Sequence, residues 1–143
     1  EGHLSRRVAG TVVATAGYRY LEYPAVSIHQ PQPALTWYHR RGEVEGRLFL
    51  TLNPDRDRTS ATLLLRALQD VSGRVRLGGG VSYGDRIFDS ASLPEVDQRA
   101  WQAHGWVRFG LTPRDFLVVG GALAHERPDF DLKSWLVAYR RGF

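Results

Sequence analysis

Through most of this chain large apolar residues alternate with small or polar ones, with the period of two that a β-strand imposes on side-chain direction. In the closing stretch LKSWLVAYRRGF, Trp135, Val137 and Tyr139 point one way while Ser134, Leu136, Ala138 and Arg140 point the other. Helix-period segments, internal repeats and low-complexity runs are not evident. The pattern predicts eight strands: about Thr11–Tyr23, Ala34–Arg40, Val44–Leu52, Ser60–Gln69, Arg74–Tyr83, Gln98–Leu111, Phe116–His125 and Leu132–Phe143. Residues 1–10 read as a lead-in, and residues 1–143 as a single domain.

The connections alternate in length. RRGE (Arg40–Glu43), DVSG (Asp70–Gly73) and TPRD (Thr112–Asp115) are tight. PAVSIHQPQP (Pro24–Pro33), NPDRDRT (Asn53–Thr59), GDRIFDSASLPEVD (Gly84–Asp97) and ERPDF (Glu126–Phe130) are longer or more polar. In an up-and-down meander these two classes gather at opposite ends, and the tight turns are expected to share their end with both termini. Short turns at one end, longer loops at the other and an even strand count are the pattern of outer-membrane barrels.

The two faces of the strands differ in chemistry. Val75, Leu77, Gly79, Val81 and Tyr83 oppose Arg74, Arg76, Gly78, Gly80 and Ser82, and Val44, Gly46, Leu48, Leu50 and Leu52 oppose Glu45, Arg47, Phe49 and Thr51. In Gln98–Leu111 the odd positions are the more apolar set; in FLVVGGALAH both faces are apolar or glycine, and no facing is assigned. A soluble barrel packs its apolar face inward, whereas a membrane barrel turns it to lipid. Tyr83, Trp101 and Trp135 fall near the long loops, and Phe109, Tyr139 and Phe143 near the tight turns. Two aromatic belts with aliphatic residues between them match two bilayer interfaces. The expected fold class is therefore all-β: an antiparallel up-and-down transmembrane β-barrel of about eight strands in a bacterial outer membrane. A soluble lipocalin-like barrel or sandwich with a ligand cavity is the competing class.

Composition narrows the chemistry. Apolar residues make up 43% of the 143, mean hydropathy is −0.32, and no run approaches a transmembrane helix. The chain holds no cysteine, so disulfides and thiolate chemistry are excluded. It also holds no methionine, and the sequence reads as trimmed from something longer, with no signal peptide in EGHLSRRVAG. His3, His29, His39, His104 and His125 show no metal-binding spacing, and no metal or cofactor is expected.

The net charge is +4, and Lys133 is the one lysine among 19 basic residues. Arginine suits carboxylate and phosphate recognition, although a GC-rich coding sequence also raises its frequency. Arg19, Arg40, Arg47, Arg66, Arg74, Arg76, Arg108 and Arg140 fall on the polar faces, with Glu45 the one clear acidic counterpart within the strands. They are the candidates for anion or glycan contact in a lumen. The alternative is structural, because charged side chains fill and lock a small barrel. Basic residues that alternate along strands do not form a nucleic-acid surface.

Enzymatic signals are thin. RLGGGVSYGD lacks the Lys-Ser/Thr of a phosphate loop. His104 could act as a base, and His125–Glu126 with Asp97 or Ser82 is a weak candidate for lipid-modifying chemistry. No catalytic residue is assigned, and no enzymatic activity is expected.

The stretches AGYRYLEYP, LTWYHRRG, LFLTLNPD, GGGVSYGD, GWVRFGLTPRDFLVVGGALAHERPDFD and WLVAYRRGF, in that order, resemble the C-terminal barrel of the YaiO-type outer-membrane β-barrel family. They span nearly the whole chain from Ala16 onward. The resemblance implies a barrel linked to exopolysaccharide secretion or envelope surface organisation, acting as a membrane anchor or narrow pore. Such barrels often follow a signal sequence and helical repeats, and neither is found in this sequence. Outer-membrane lipid, an acidic polysaccharide and the barrel-assembly machinery are the partners it implies.

Overall fold

The structure, a computed structural model, describes residues 1–23, 26–56, 58–85, 99–126 and 130–141. Among the described residues nine strands form one antiparallel sheet: β1 (Gly2–Ala9), β2 (Val12–Tyr23), β3 (Val26–His39), β4 (Gly42–Asn53), β5 (Arg58–Ser72), β6 (Val75–Asp85), β7 (Arg99–Gly110), β8 (Asp115–Glu126) and β9 (Phe130–Arg141). A short 3-10 turn, Pro54–Arg56, follows β4. Sheet order is chain order from β1 to β9. The all-β, antiparallel, up-and-down meander is the one that the alternation predicts.

The strand count is nine, not eight, because the expected lead-in is itself a strand. Gly10, at φ +41°, takes the left-handed conformation that glycine adopts freely and turns β1 back onto β2. Ser5 and Thr15 then share a hydroxyl hydrogen bond of 2.9 Å across the pair. An odd number of strands places the chain's two ends apart. Glu1 lies at the long-loop end and Arg141 at the tight-turn end, so the termini do not share the tight-turn end as expected.

The stretch Pro24–Pro33, expected as a loop, belongs mostly to β3. Proline cannot donate to a ladder and usually argues against a strand. Here the β2–β3 ladder runs unbroken past Pro31 and Pro33. The β3–β4 ladder instead lapses between His29↔Leu52 and Ala34↔Arg47, the stretch that holds both prolines. One side-chain bond spans the gap, from Gln30 Nε2 to Thr51 Oγ1 at 3.0 Å, and Gln32 Nε2 braces it along β3 by donating to Gln30 Oε1 at 2.9 Å.

At the tight-turn end the first three turns are each tied to the next hairpin through the backbone. The N–H groups of Tyr38, Asp70 and Gly110 donate to the carbonyls of Thr11, Arg41 and Arg74 at 2.7–2.8 Å. Register shifts between Arg7 and Ala9 and between Asp70 and Ser72 mark bulges just before two of these turns.

The two faces of the sheet differ sharply in burial. On what we call the inner face, the buried side chains among the described residues are Gln30, Gln32, Thr36, Glu45, Thr51, Asn53 and Ser60, with Ala34 and Ala124 the apolar ones. A cavity of about 540 Å³ is walled by residues from β2 through β8 on this side, so the sheet rolls around it. Every strand presents at least two exposed large apolar side chains on the opposite, outer face: Leu4 and Val8 on β1, Leu35 and Trp37 on β3, Leu63 and Leu65 on β5, Trp135, Val137 and Tyr139 on β9. Strand β8, unassigned from sequence, follows the same rule by register. Leu117, Val119, Gly121 and Leu123 lie outward with Trp135 and Val137, and Phe116, Val118, Ala122 and Ala124 lie inward.

One bulky group fills the inner side. Trp106 sits in the ladder row Leu68, Gly78, Trp106, Gly120, flanked by two residues without side chains. A Cβ on Gly78 would collide with the Trp106 indole, and one on Gly120 would stand 2.9 Å from Trp106 Cβ. Gly78→Ala is therefore expected to cost about 1–3 kcal/mol through overpacking. Gly73→Ala, where a Cβ meets nothing within 4 Å, is expected to shift stability by no more than about 0.5 kcal/mol. Urea unfolding of the two variants measures the difference, and equal midpoints would show that the indole does not need the glycine.

Candidate functional site

The inner face is the part of the molecule with concentrated polar chemistry, and it is built from rows of cross-strand neighbours. Thr36, Glu45 and Arg66 form one row across β3, β4 and β5. Glu45 is buried, and its carboxylate accepts from Arg47 Nε at 3.1 Å, Arg66 Nη2 at 3.0 Å and Thr36 Oγ1 at 3.3 Å. Glu43 reaches Arg66 at 4.0 Å. One carboxylate thus neutralises much of the charge of two guanidinium groups, which is what a buried ionic group requires.

A second row runs Asp70, Arg76, Arg108, Val118. Arg76 and Arg108 face each other directly, a juxtaposition of like charges that needs relief. Asp70 grips Arg76 through two hydrogen bonds, one of them Nη2 to Oδ2 at 2.9 Å. The Arg108 guanidinium lies over the Phe116 ring, 5.4 Å from its centroid. Asp70 was not among the expected partners, because the sequence places it in a turn. The β5–β6 ladder runs through Asp70↔Arg76 in the same register as the rest of the pair, so the two side chains meet on the inner face, and the bulge around Val71 comes after them.

The third feature is the cavity of about 540 Å³, lined by Arg19, Gln30, Gln32, Arg47, Ser82 and Gln102 among others. Arg19 makes no ion pair or hydrogen bond among the described residues, while Arg47 is shared with Glu45. Three amides, a hydroxyl and two guanidinium groups around one space can donate hydrogen bonds to carboxylate or hydroxyl groups. Gln30, at 1% exposure, and Gln32 are not among the candidates that the sequence offers, because QPQP reads as a loop. Its period of two was the signal that could have found them.

The remaining candidates fall as follows. Arg140 stands on the inner face opposite Phe116 near the tight-turn end. Arg40 and Arg74 lie in turns, exposed at the tight-turn end of the sheet. His104 lies inward between Gly80 and Ala122 with no carboxylate partner among the described residues. His125 is on the outer face, opposite the side that carries Ser82, so those two are not brought together. Its Nδ1 instead meets Asp131 Oδ1 at 2.7 Å, and Trp101 stacks on the ring at 6.4 Å. Asp97 and the side chain of Glu126 lie outside the described residues, and no group of metal-ligating side chains is found among those described.

Of the expected belt residues, Tyr83 and Trp101 are cross-strand neighbours, and Phe109, Leu117 and Tyr139 share one row. Trp135, 84% exposed, stands beside Gly121, and Phe143 lies outside the described residues.

At the loop end Asp55 clasps the start of β3. Its Oδ2 accepts from both the backbone N–H and the hydroxyl of Ser27 at 2.7 Å. These donors, the backbone one first, hold the Asp55 carboxyl below its ordinary value of 3.8. Any stability from this clasp is complete above 3.8, where the carboxyl is ionised folded or unfolded, and is lost as pH falls through the lower folded value. NMR titration of Asp55 should give a midpoint under 3.8, and Ser27→Ala should raise it part of the way, since the backbone donor stays. A midpoint unmoved by Ser27→Ala would remove the hydroxyl from the clasp. For the buried pair, Glu45→Gln is expected to cost about 2–3 kcal/mol, below the value for a fully buried pair because Arg66 is half exposed. Glu43→Gln should cost under about 0.5 kcal/mol by the same denaturant assay.

No family model, curated protein or solved structure matches the chain, and its resemblance to YaiO-type barrels rests on the residues quoted above.

Proposed function

We propose that this chain is an outer-membrane β-barrel protein that serves exopolysaccharide secretion or envelope surface organisation, as a membrane anchor or narrow pore and not as an enzyme. One observation carries the reading: polarity is inverted. The buried side chains are amides, hydroxyls and a carboxylate, while each of the nine strands exposes large apolar residues on the other face. In water that outer face would be an apolar surface far larger than soluble monomers tolerate. In a bilayer it is the expected wall.

The inner face supports the second half of the proposal. Arg66 and Arg76 are tied to carboxylates and Arg108 to an aromatic ring, so these positions hold the scaffold. Arg19, with Gln30, Gln32 and Gln102 around the cavity, offers donors to an acidic or hydroxyl-rich glycan. The YaiO-type resemblance supplies the link to polysaccharide, and the outer face supplies the lipid partner. The barrel-assembly machinery would then insert it.

The same cavity is the observation that favours a soluble ligand-binding barrel, since about 540 Å³ lies within the usual range of small-molecule sites. Solubility separates the two. An outer-membrane barrel is expected to need detergent and to migrate differently on a gel when unheated, whereas detergent-free folded monomers would overturn the membrane reading. Within a bilayer, Val81→Arg on the outer face should cost roughly 2–4 kcal/mol. Ser82→Arg, one residue on and facing the cavity, should cost less. Unfolding in lipid vesicles measures both, and equally mild effects would mean that the outer face does not meet lipid.

A further inference from the structure

We propose that the two edges of the sheet, β1 and β9, are bridged by one further extended strand that runs antiparallel to both and closes the wall with ten strands. The inference follows from strand direction. Strand β1 leaves the loop end and reaches the tight-turn end at Gly10–Thr11. Strand β9 also leaves the loop end and finishes beside Asp115 at the tight-turn end. Nine strands in strict alternation must end this way, so the two edges point in the same direction. Joined directly they would make a parallel pair in a sheet that is otherwise antiparallel throughout. A second copy in the same orientation presents edges of the same direction and meets the same obstacle. A single strand of opposite direction pairs with both edges in the geometry the sheet already uses. The exclusion of a second copy needs both copies in one orientation, as a membrane imposes, so the inference rests on the membrane reading proposed above.

Side chains at the edges agree. All eight residues of β1 are exposed. On β9 the inward-facing Leu132 and Leu136 stay 48% and 55% exposed, although the inner face is buried around β3 and β4. Open edges of this kind are hazards that proteins cover or pair. The edges also describe their occupant. On the outer face it would lie between Leu4 and Val8 of β1 and Val137 and Tyr139 of β9, which calls for apolar residues at alternate positions. On the inner face near the tight-turn end it would lie between Arg7 and Arg140, which calls for an acidic or polar residue there. A segment of about ten residues suffices to match its neighbours. The occupant is thus an amphipathic β-strand with an inward acid near its beginning, supplied by polypeptide beyond residues 1–143.

Cross-linking in the intact full-length protein tests this, with any cysteine outside residues 1–143 replaced by serine, since residues 1–143 hold none. Ser5→Cys on β1 is combined in turn with Ser134→Cys, Leu136→Cys and Ala138→Cys on β9, all inward-facing. Across an intervening strand the edges lie roughly 9.5 Å apart, beyond the Cα separation of about 4.4–6.8 Å that a disulfide needs. Oxidation should therefore give no disulfide, while a bis-maleimide spanning about 10 Å should join at least one pair within a monomer, read as a linked peptide by mass spectrometry. The Ser5→Cys, Thr15→Cys pair across β1 and β2 is the positive control for oxidation, since those hydroxyls are 2.9 Å apart. A disulfide between β1 and β9 would overturn the proposal by showing direct closure. Linked dimers would overturn it in favour of a second copy. Linkage by neither reagent would overturn it by leaving the edges apart.

Discussion

Neutralising charge inside a rolled sheet is the constraint on which the rest of this structure depends. Glu45 is buried with two guanidinium groups and a hydroxyl bonded to it, across three strands. Those bonds fix the relative register of β3, β4 and β5, since a slip of one residue would turn the carboxylate to the apolar side. Asp70 does the same for Arg76, which would otherwise meet Arg108 as a bare like charge. Every buried side-chain nitrogen and oxygen among the described residues has a hydrogen-bond partner. An inner face of this polarity can exist only under that condition.

Packing and polarity divide the inner face between them. The β2–β5 side is filled by amides, hydroxyls and ion pairs, whereas the β6–β8 side carries Trp106 over its glycines with Phe116, Val118 and Ala122. The cavity brings Arg19, Gln30, Gln32, Arg47 and Gln102 together with apolar Phe49, Leu64 and Trp101 in one lining. On the proposed reading, that is where a glycan would find donors, while the Trp106 side serves as scaffold. The gap in the β3–β4 ladder falls within the polar half too, where Gln30, Gln32 and Thr51 replace backbone bonds that the prolines cannot make.

What the sequence by itself determined was the period of two, and with it most of the strands and the separation of an apolar face from an arginine-bearing one; the sorting of tight and long connections did not survive, since only two residues join β2 to β3. These are local properties, set by the alternation of side chains along an extended chain. It also marked Glu45 as the acid among the arginines. The tertiary structure decided what depends on neighbours. It made a strand of Gly2–Ala9, because one left-handed glycine and a partner strand suffice where the local pattern is weak. It carried β3 through two prolines, because only one of the two ladders had to be complete there. It faced the two-sided apolar strand β8 by register, and it set Asp70 opposite Arg76 by carrying the β5–β6 ladder through residues that the sequence assigns to a turn. Alternation says which residues share a face; only the pairing of strands says which of them meet, and a charge is neutralised by the residue it meets.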